Sequence, residues 1–204
     1  MNVTLIDHMG DDRSVVNAAR VSFHKEITGP IRPQDVRLLK YLAKHNHWSP
    51  FAHTCLQLRI RAPIFVARQL AKHQVGLSWN EVSRRYVDEE PSFYVPESWR
   101  LRASDKKQGS SNDYVSYDIF QSLDNATTEY RNMINAGIAP EMARMILPQN
   151  MFTEWIWTGS VYAFARVCIL RLKDDTQQET RMVATQIERI LRDLFPECAT
   201  ALLG

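Results

Sequence analysis

The sequence predicts an α+β fold in a single domain, because two kinds of apolar periodicity alternate along a chain too short for two cores. Leu56, Leu58, Ile60 and Ala62 alternate with Gln57, Arg59 and Arg61, and Met151, Thr153, Trp155 and Trp157 repeat the pattern. That is the period of a strand with one buried face. Val36, Leu39, Leu42 and Ala43 fall instead at helical spacing, as do Val161, Phe164, Ala165 and Cys168. With 204 residues, 45% of them hydrophobic, residues 1–204 form one domain with one core.

In order, residues 2–7 read as a short strand and 13–21 as a short helix with Val15, Val16 and Ala19 inward and Arg20 and Ser22 at its exit. Pro33 opens a helix to Lys44, followed by His45, Asn46, His47, Ser49 and Pro50. After the strand at 56–62, Pro63 opens a helix running to about Gln74, and Gly76 breaks it. The extended segment beyond places Glu81, Ser83 and Arg85 on one side. Residues 100–112, charged and small, read as a mobile loop. A long helix to Asn135 then carries Ile119, Leu123, Ala126, Tyr130 and Met133 on one stripe, with Gly137 as its stop. Pro140 opens and Pro148 closes another helix, around Arg144. The strand at 151–157 leads into a helix over 160–171 that ends at Arg171. The last helix begins at a capping box, Thr176 with Glu179, and buries Val183, Ile187, Ile190 and Leu194. No internal repeat is visible.

Composition narrows the function classes. A formal charge of +2 gives no broad basic field, so nucleic-acid binding is not expected and any anion site depends on local placement of Arg and Lys. No apolar run is long enough to span a bilayer, and the polar opening MetAsnValThrLeuIleAsp is unlike a signal sequence. Cys55, Cys168 and Cys198 are odd in number and widely spaced, which argues against a disulfide framework and for a reducing, cytoplasmic setting.

The densest chemistry lies at 68–86. Arg68, Lys72, Arg84 and Arg85 stand among Gln69, His73, Gln74, Glu81, Ser78 and Ser83, a mixture suited to an anionic ligand. On a helix, Arg68 shares a face with Lys72, and Gln69 with His73. A Ser hydrolase is disfavoured, since no Gly-x-Ser-x-Gly elbow occurs and no Asp is placed to orient His73. His47, His53 and His73 lack the tight spacing and the Cys or acidic partners of a zinc site, so no metal is expected. Trp79 and Tyr86 are packing residues, with an edge available to a flat ring.

The run AsnGluValSerArgArgTyr at 80–86, preceded by ArgGln at 68–69, resembles the signature of the flavin-dependent thymidylate synthases. AsnAlaAlaArgValSerPhe at 17–23, HisTrpSerProPheAlaHis at 47–53, AlaProIlePheValAlaArgGln at 62–69 and AlaArgMetIleLeuPro at 143–148 are similar to further family motifs, in order. Lys72, His73 and Gln74 stand where the family motif opens Arg-His-Arg, and the spacing to Ser83 is longer than the family's. Ser160 and Tyr162 likewise stand where Asn and Arg are expected.

The resemblance implies a central, mostly antiparallel sheet flanked by helices and a homotetramer with active sites between subunits. It implies methylation of deoxyuridine monophosphate (dUMP) to thymidylate, with 5,10-methylenetetrahydrofolate as carbon donor and NADPH as reductant. Gln69, Glu81, Ser83, Arg84, Arg85, Arg144 and Arg171 match positions around dUMP, and Arg171 is the expected catalytic residue, stabilising charge on the pyrimidine. His47, Ser49, Lys72, His73, Gln74, Asn80, Glu81, Ser160 and Arg166 match positions around flavin adenine dinucleotide (FAD). The replacements at Lys72 and Gln74 leave open a relative that modifies C5 differently, for instance by hydroxymethylation. A non-catalytic nucleotide-binding protein and a His-dependent metallohydrolase are the readings from other classes.

Overall fold

The computed structural model describes residues 1–104 and 109–204. In chain order it contains β1 (Asn2–Met9), α1 (Asp12–Arg20), α2 (Pro33–Lys44), β2 (Cys55–Pro63), α3 (Ile64–Leu70), β3 (Leu77–Glu81), β4 (Trp99–Arg100) and β5 (Tyr114–Val115). There follow α4 (Phe120–Asn135), α5 (Pro140–Ala143), β6 (Phe152–Gly159), α6 (Val161–Arg171), α7 (Gln178–Leu194) and α8 (Pro196–Leu203). The central sheet has the order β1-β2-β6-β3 with every neighbouring pair antiparallel, and β4 pairs with β5 apart from it.

One face of the sheet is buried, as the alternation requires. Leu56, Leu58, Ile60 and Ala62 of β2 and Trp155 and Trp157 of β6 join a core completed by Val15 and Val16 of α1, Leu39 of α2, Phe164 of α6 and Ile187 of α7. On the other face Arg59 of β2 pairs with Glu154 of β6 at 3.5 Å. A buried Asp35 on α2, held by Arg20 and Arg32, fastens α1 to α2.

Several boundaries differ from the sequence reading. Helix α3 ends at Leu70, not near Gln74: the His73 N–H turns back to the Leu70 carbonyl at 2.9 Å, and residues 71–76 form a turn closed by Gly76 at φ +75°. Strand β3 ends at Glu81, and the chain turns at once, with the Tyr86 N–H donating to the Ser83 carbonyl at 3.1 Å. Glu81, Ser83 and Arg85 therefore do not share a strand face. The helix expected over 140–148 is α5 followed by a 3-10 turn, Arg144–Ile146. Part of the loop expected over 100–112, residues 105–108, lies outside the described residues.

The capping box at Thr176 does not form. Helix α7 begins at Gln178 with Gln177 as N-cap, the Thr176 hydroxyl donates to the Leu170 carbonyl at 3.2 Å, and Glu179 is drawn to Arg100. Helix α8 follows, beyond the last one the periodicity gave. Pro196 starts it, and the buried carboxylate of Asp12 accepts from the N–H groups of Glu197 and Cys198 at 2.9 and 2.8 Å.

The glycine closing β6 has a packing reason. A Cβ on Gly159 would stand 2.5 Å from the Leu77 Cδ2 and 2.8 Å from the Gly76 carbonyl, so a side chain there would push away the turn that carries His73.

Candidate active site

Helix α6 ends at Arg171, whose side chain reaches α3 and the turn after it. There its Nε donates to His73 Nε2 at 3.0 Å and its Nη2 donates to the Gln69 carbonyl at 2.9 Å. To accept, the imidazole has to be neutral with its proton on Nδ1. Burial first, then the positive charges of Arg171 and Arg166, push His73 down from 6.5 to about 4. The environment thus holds His73 in the state the contact requires.

The Gln69 side chain points to the start of α7. Its Nε2 donates to Gln177 Oε1, and its Oε1 accepts from the buried Thr180 hydroxyl at 3.0 Å. The same helical turn is gripped from outside by Arg100. Its Nη2 donates to both Glu179 oxygens at 2.8 and 2.7 Å, its Nη1 to Gln178 Oε1 at 2.8 Å, and its Nε to Ser110 Oγ at 2.8 Å. Burial and the neighbouring Glu179 raise the Tyr94 hydroxyl above its ordinary range.

A second group lines a cleft of about 370 Å³. Glu81, Arg84 and Arg144 face it together with Arg61, Ser92, Thr153 and Glu154. The Glu81 carboxylate accepts from the Thr153 hydroxyl at 2.7 Å and the Trp79 indole at 3.1 Å. Arg61 donates to Ser92 Oγ at 2.9 Å and lies 4.1 Å over the Phe152 ring. Arg84 donates to the Glu89 carbonyl at 2.6 Å, and Arg144 to the Glu141 carbonyl at 3.3 Å. Ser83 and Arg85 do not line this cleft: Ser83 Oγ accepts from Arg85 Nε at 3.0 Å, and the exposed Arg85 guanidinium lies 4.9 Å from the Tyr86 ring.

The structure therefore divides the expected nucleotide residues. Gln69 and Arg171 sit together with His73, while Glu81, Arg84 and Arg144 share the cleft. Among the described residues no hydrogen bond joins the two groups. Of the remaining site residues, Lys72, Gln74, Asn80 and Arg166 are exposed. His47 is exposed beside the rings of Tyr41 and His45, at 6.0 and 6.3 Å, and Ser49 starts the 3-10 turn Ser49–His53. Ser160 is the N-cap of α6, where its hydroxyl accepts from the Ala163 N–H at 3.2 Å.

Residues that the sequence reading passed over include Arg61, Arg100, Gln177 and Thr180. Gln177 and Thr180 had a readable signal, being polar residues three apart just beyond Arg171. Among the described residues, no group of three or more His, Cys, Asp or Glu could hold a metal ion, and no helix is long and apolar enough to cross a membrane. Burial pushes the Cys168 thiol up to about 12, and burial with Asp12 nearby raises Cys198 further.

Comparison with known proteins converges on one family. The family model described as thymidylate synthase complementing protein matches residues 4–197. A flavin-dependent thymidylate synthase of Thermus thermophilus is 39% identical over 198 residues, covering 95% of this chain and 72% of that protein. One from Kosmotoga olearia is 35% identical over 211 residues, covering 99% and 90%. Among solved structures, the UMP/dUMP methylase PolB from Streptomyces cacaoi bound with 5-Br dUMP superposes with a TM-score of 0.80 at 31% identity, covering 98% of this chain and 93% of that one. The match runs through both groups of site residues and nearly the whole fold, and this chain belongs to the thymidylate synthase complementing protein family, that of the flavin-dependent thymidylate synthases.

Proposed function

We propose that this chain methylates dUMP at C5 to give thymidylate, with FAD as cofactor, 5,10-methylenetetrahydrofolate as carbon donor and NADPH as reductant. The observation that carries the reading is the Gln69, His73 and Arg171 group, a fixed amide beside a half-buried guanidinium whose Nη1 has no hydrogen-bond partner among the described residues. That pair suits the polar edge of a pyrimidine. The names of the relatives and the 5-bromo-dUMP on a 31% identical neighbour supply the substrate class.

In this reading Arg171 stabilises negative charge that builds on the ring oxygens, and its fixed direction reduces the reorganisation needed at that moment. The Arg84 and Arg144 cleft, which Ser92 also lines, suits a phosphate through Arg forks and a hydroxyl. The resemblance implies pockets between subunits of a homotetramer, and this reading places the two groups in one such pocket.

The donor set fits the flavin. His47, Ser49, Lys72, Gln74, Asn80 and Arg166 offer exposed hydrogen-bond donors and two cations for a diphosphate, and Trp48 and Tyr162, ring centroids 6.2 Å apart, offer aromatic faces. FAD, when bound, supplies the hydride chemistry that the side chains lack. The chain's own residues bind, orient and hold charge.

The test is to load purified protein with FAD, supply dUMP, methylenetetrahydrofolate and NADPH, and identify the nucleotide by mass spectrometry. A methylated product is expected. A hydroxymethylated product, or none from protein that binds FAD and dUMP, would overturn the reading.

A further inference from the structure

A glutamine amide carries two acceptor positions on its oxygen and two N–H bonds on its nitrogen. In Gln69, Thr180 takes one acceptor position and Gln177 one N–H. One acceptor and one donor remain. That pair complements the N3–H and adjacent carbonyl of uracil when the oxygen lies opposite N3–H. Rotated by half a turn, the same amide complements the N3 and amino group of cytosine instead. The choice of base therefore lies with whatever fixes the amide.

We propose that Thr180 and Gln177 are specificity-determining positioning residues that fix the Gln69 amide in the orientation selecting uracil over cytosine. The proposal rests on reading Gln69 as the residue facing the pyrimidine edge. Thr180 is fully buried, so its hydroxyl has no water to turn to. It donates to Gln69 Oε1 at 3.0 Å, and half a turn of the amide would set it against an N–H donor instead. The turn carrying both residues is clamped, since Gln178 and Glu179, which lie between them, are both held by Arg100. Four successive residues are thus committed, two to Gln69 and two to Arg100. The Gln69 carbonyl meanwhile receives Arg171, so amide and guanidinium are set in one frame.

The experiment measures equilibrium binding of dUMP and dCMP to the FAD-loaded protein. Wild type should prefer dUMP. Thr180→Val and Gln177→Met should each lower that preference by roughly tenfold, the scale of one misdirected buried hydrogen bond. Thr180→Ser and Gln177→Glu keep the hydroxyl and the acceptor and should restore it. FAD affinity should stay unchanged throughout.

Gln69→Ala separates two kinds of failure. If it leaves the preference intact, the assignment of Gln69 to the pyrimidine is wrong. If it abolishes the preference while Thr180→Val with Gln177→Met preserves it, the positioning proposal is overturned. Equal weakening of both nucleotides, or a loss of FAD affinity instead, also overturns it. Should the double variant not fold, Thr180→Val alone, which keeps the shape of threonine, carries the test.

Discussion

Arg171 donates its Nε to His73 Nε2 at 3.0 Å, so a permanently charged side chain is aimed by a histidine that must stay uncharged. This has a pH consequence whose sign is definite. His73 is held at about 4 in the fold against 6.5 ordinarily, so at intermediate pH the unfolded chain binds the extra proton. The stability tied to neutral His73 is complete above about 6.5 and is lost as pH falls towards about 4. Melting temperature followed from pH 7 to pH 4 should fall less in His73→Gln than in wild type. An NMR titration in which the His73 ring protonates near its ordinary value would show the contact to be absent in solution.

Arg171→Ala should lower turnover of dUMP by roughly ten- to a hundredfold, the scale of one charge-assisted hydrogen bond at about 1.5–3 kcal/mol. Arg171→Lys should recover little, because an ammonium cannot serve His73, the Gln69 carbonyl and a substrate from one planar fork. Lys72→Ala should be mild towards the nucleotide. Co-refolding the impaired Arg171→Ala protein with impaired Arg85→Ala protein should give more activity than either alone if one pocket draws these two residues from different subunits, and assays of verified mixed oligomers check this.

The Arg100–Glu179 pair is buried, with side chains 17% and 4% exposed. Arg100→Ala strands a carboxylate with little access to water and should cost about 3–5 kcal/mol in chemical denaturation. Replacing both residues by leucine should cost much less. A single and a double variant of equal stability would mean that Glu179 finds another partner.

No cysteine should be needed for catalysis. Cys168 and Cys198 are fully buried with thiols held far from ionisation, and Cys55 lies part-buried on β2. A folded variant with all three replaced, Cys168 by alanine, should turn over dUMP at a comparable rate. A folded variant that binds FAD and dUMP yet is inactive would point to a thiol nucleophile.

Strands β2 and β6 were legible because burial on one face imposes a strict alternation, as the even-numbered positions of β2 show; the two-residue β4 and β5 are too short to show one. Helix α4 and its stop at Gly137 were legible for a similar reason, a stripe followed by a residue at φ +80°. What escaped was set by distant partners. Nothing between Ala71 and Gln74 forbids a helix, and the turn there is held by Arg171, 98 residues further on. The pattern of Thr176 and Glu179 reads as a cap, but Arg100, 79 residues earlier, takes the carboxylate. Pro196 did mark the start of α8, a signal that apolar periodicity alone does not weigh. Family likeness singled out Gln69, His73 and Arg171, and the structure brings these three side by side. The residues that hold Gln69 carry no motif; their one signal is two polar residues three apart, and their partner on α3 is set by the packing of α7 against it.

The capping of α8 by Asp12 joins residues 185 and 186 positions apart, near the two ends of the chain. Closing so long a loop has an entropic cost that local helices and the antiparallel β2–β6 pair, separated by less chain, do not face to the same extent. Until α8 docks, the carboxylate of Asp12 lacks the two N–H groups that it caps. Docking of α8 on Asp12 is therefore expected to follow the pairing of β2 with β6, and in refolding followed by pulsed hydrogen exchange the amides of Glu197 and Cys198 should gain protection after those of β2 and β6.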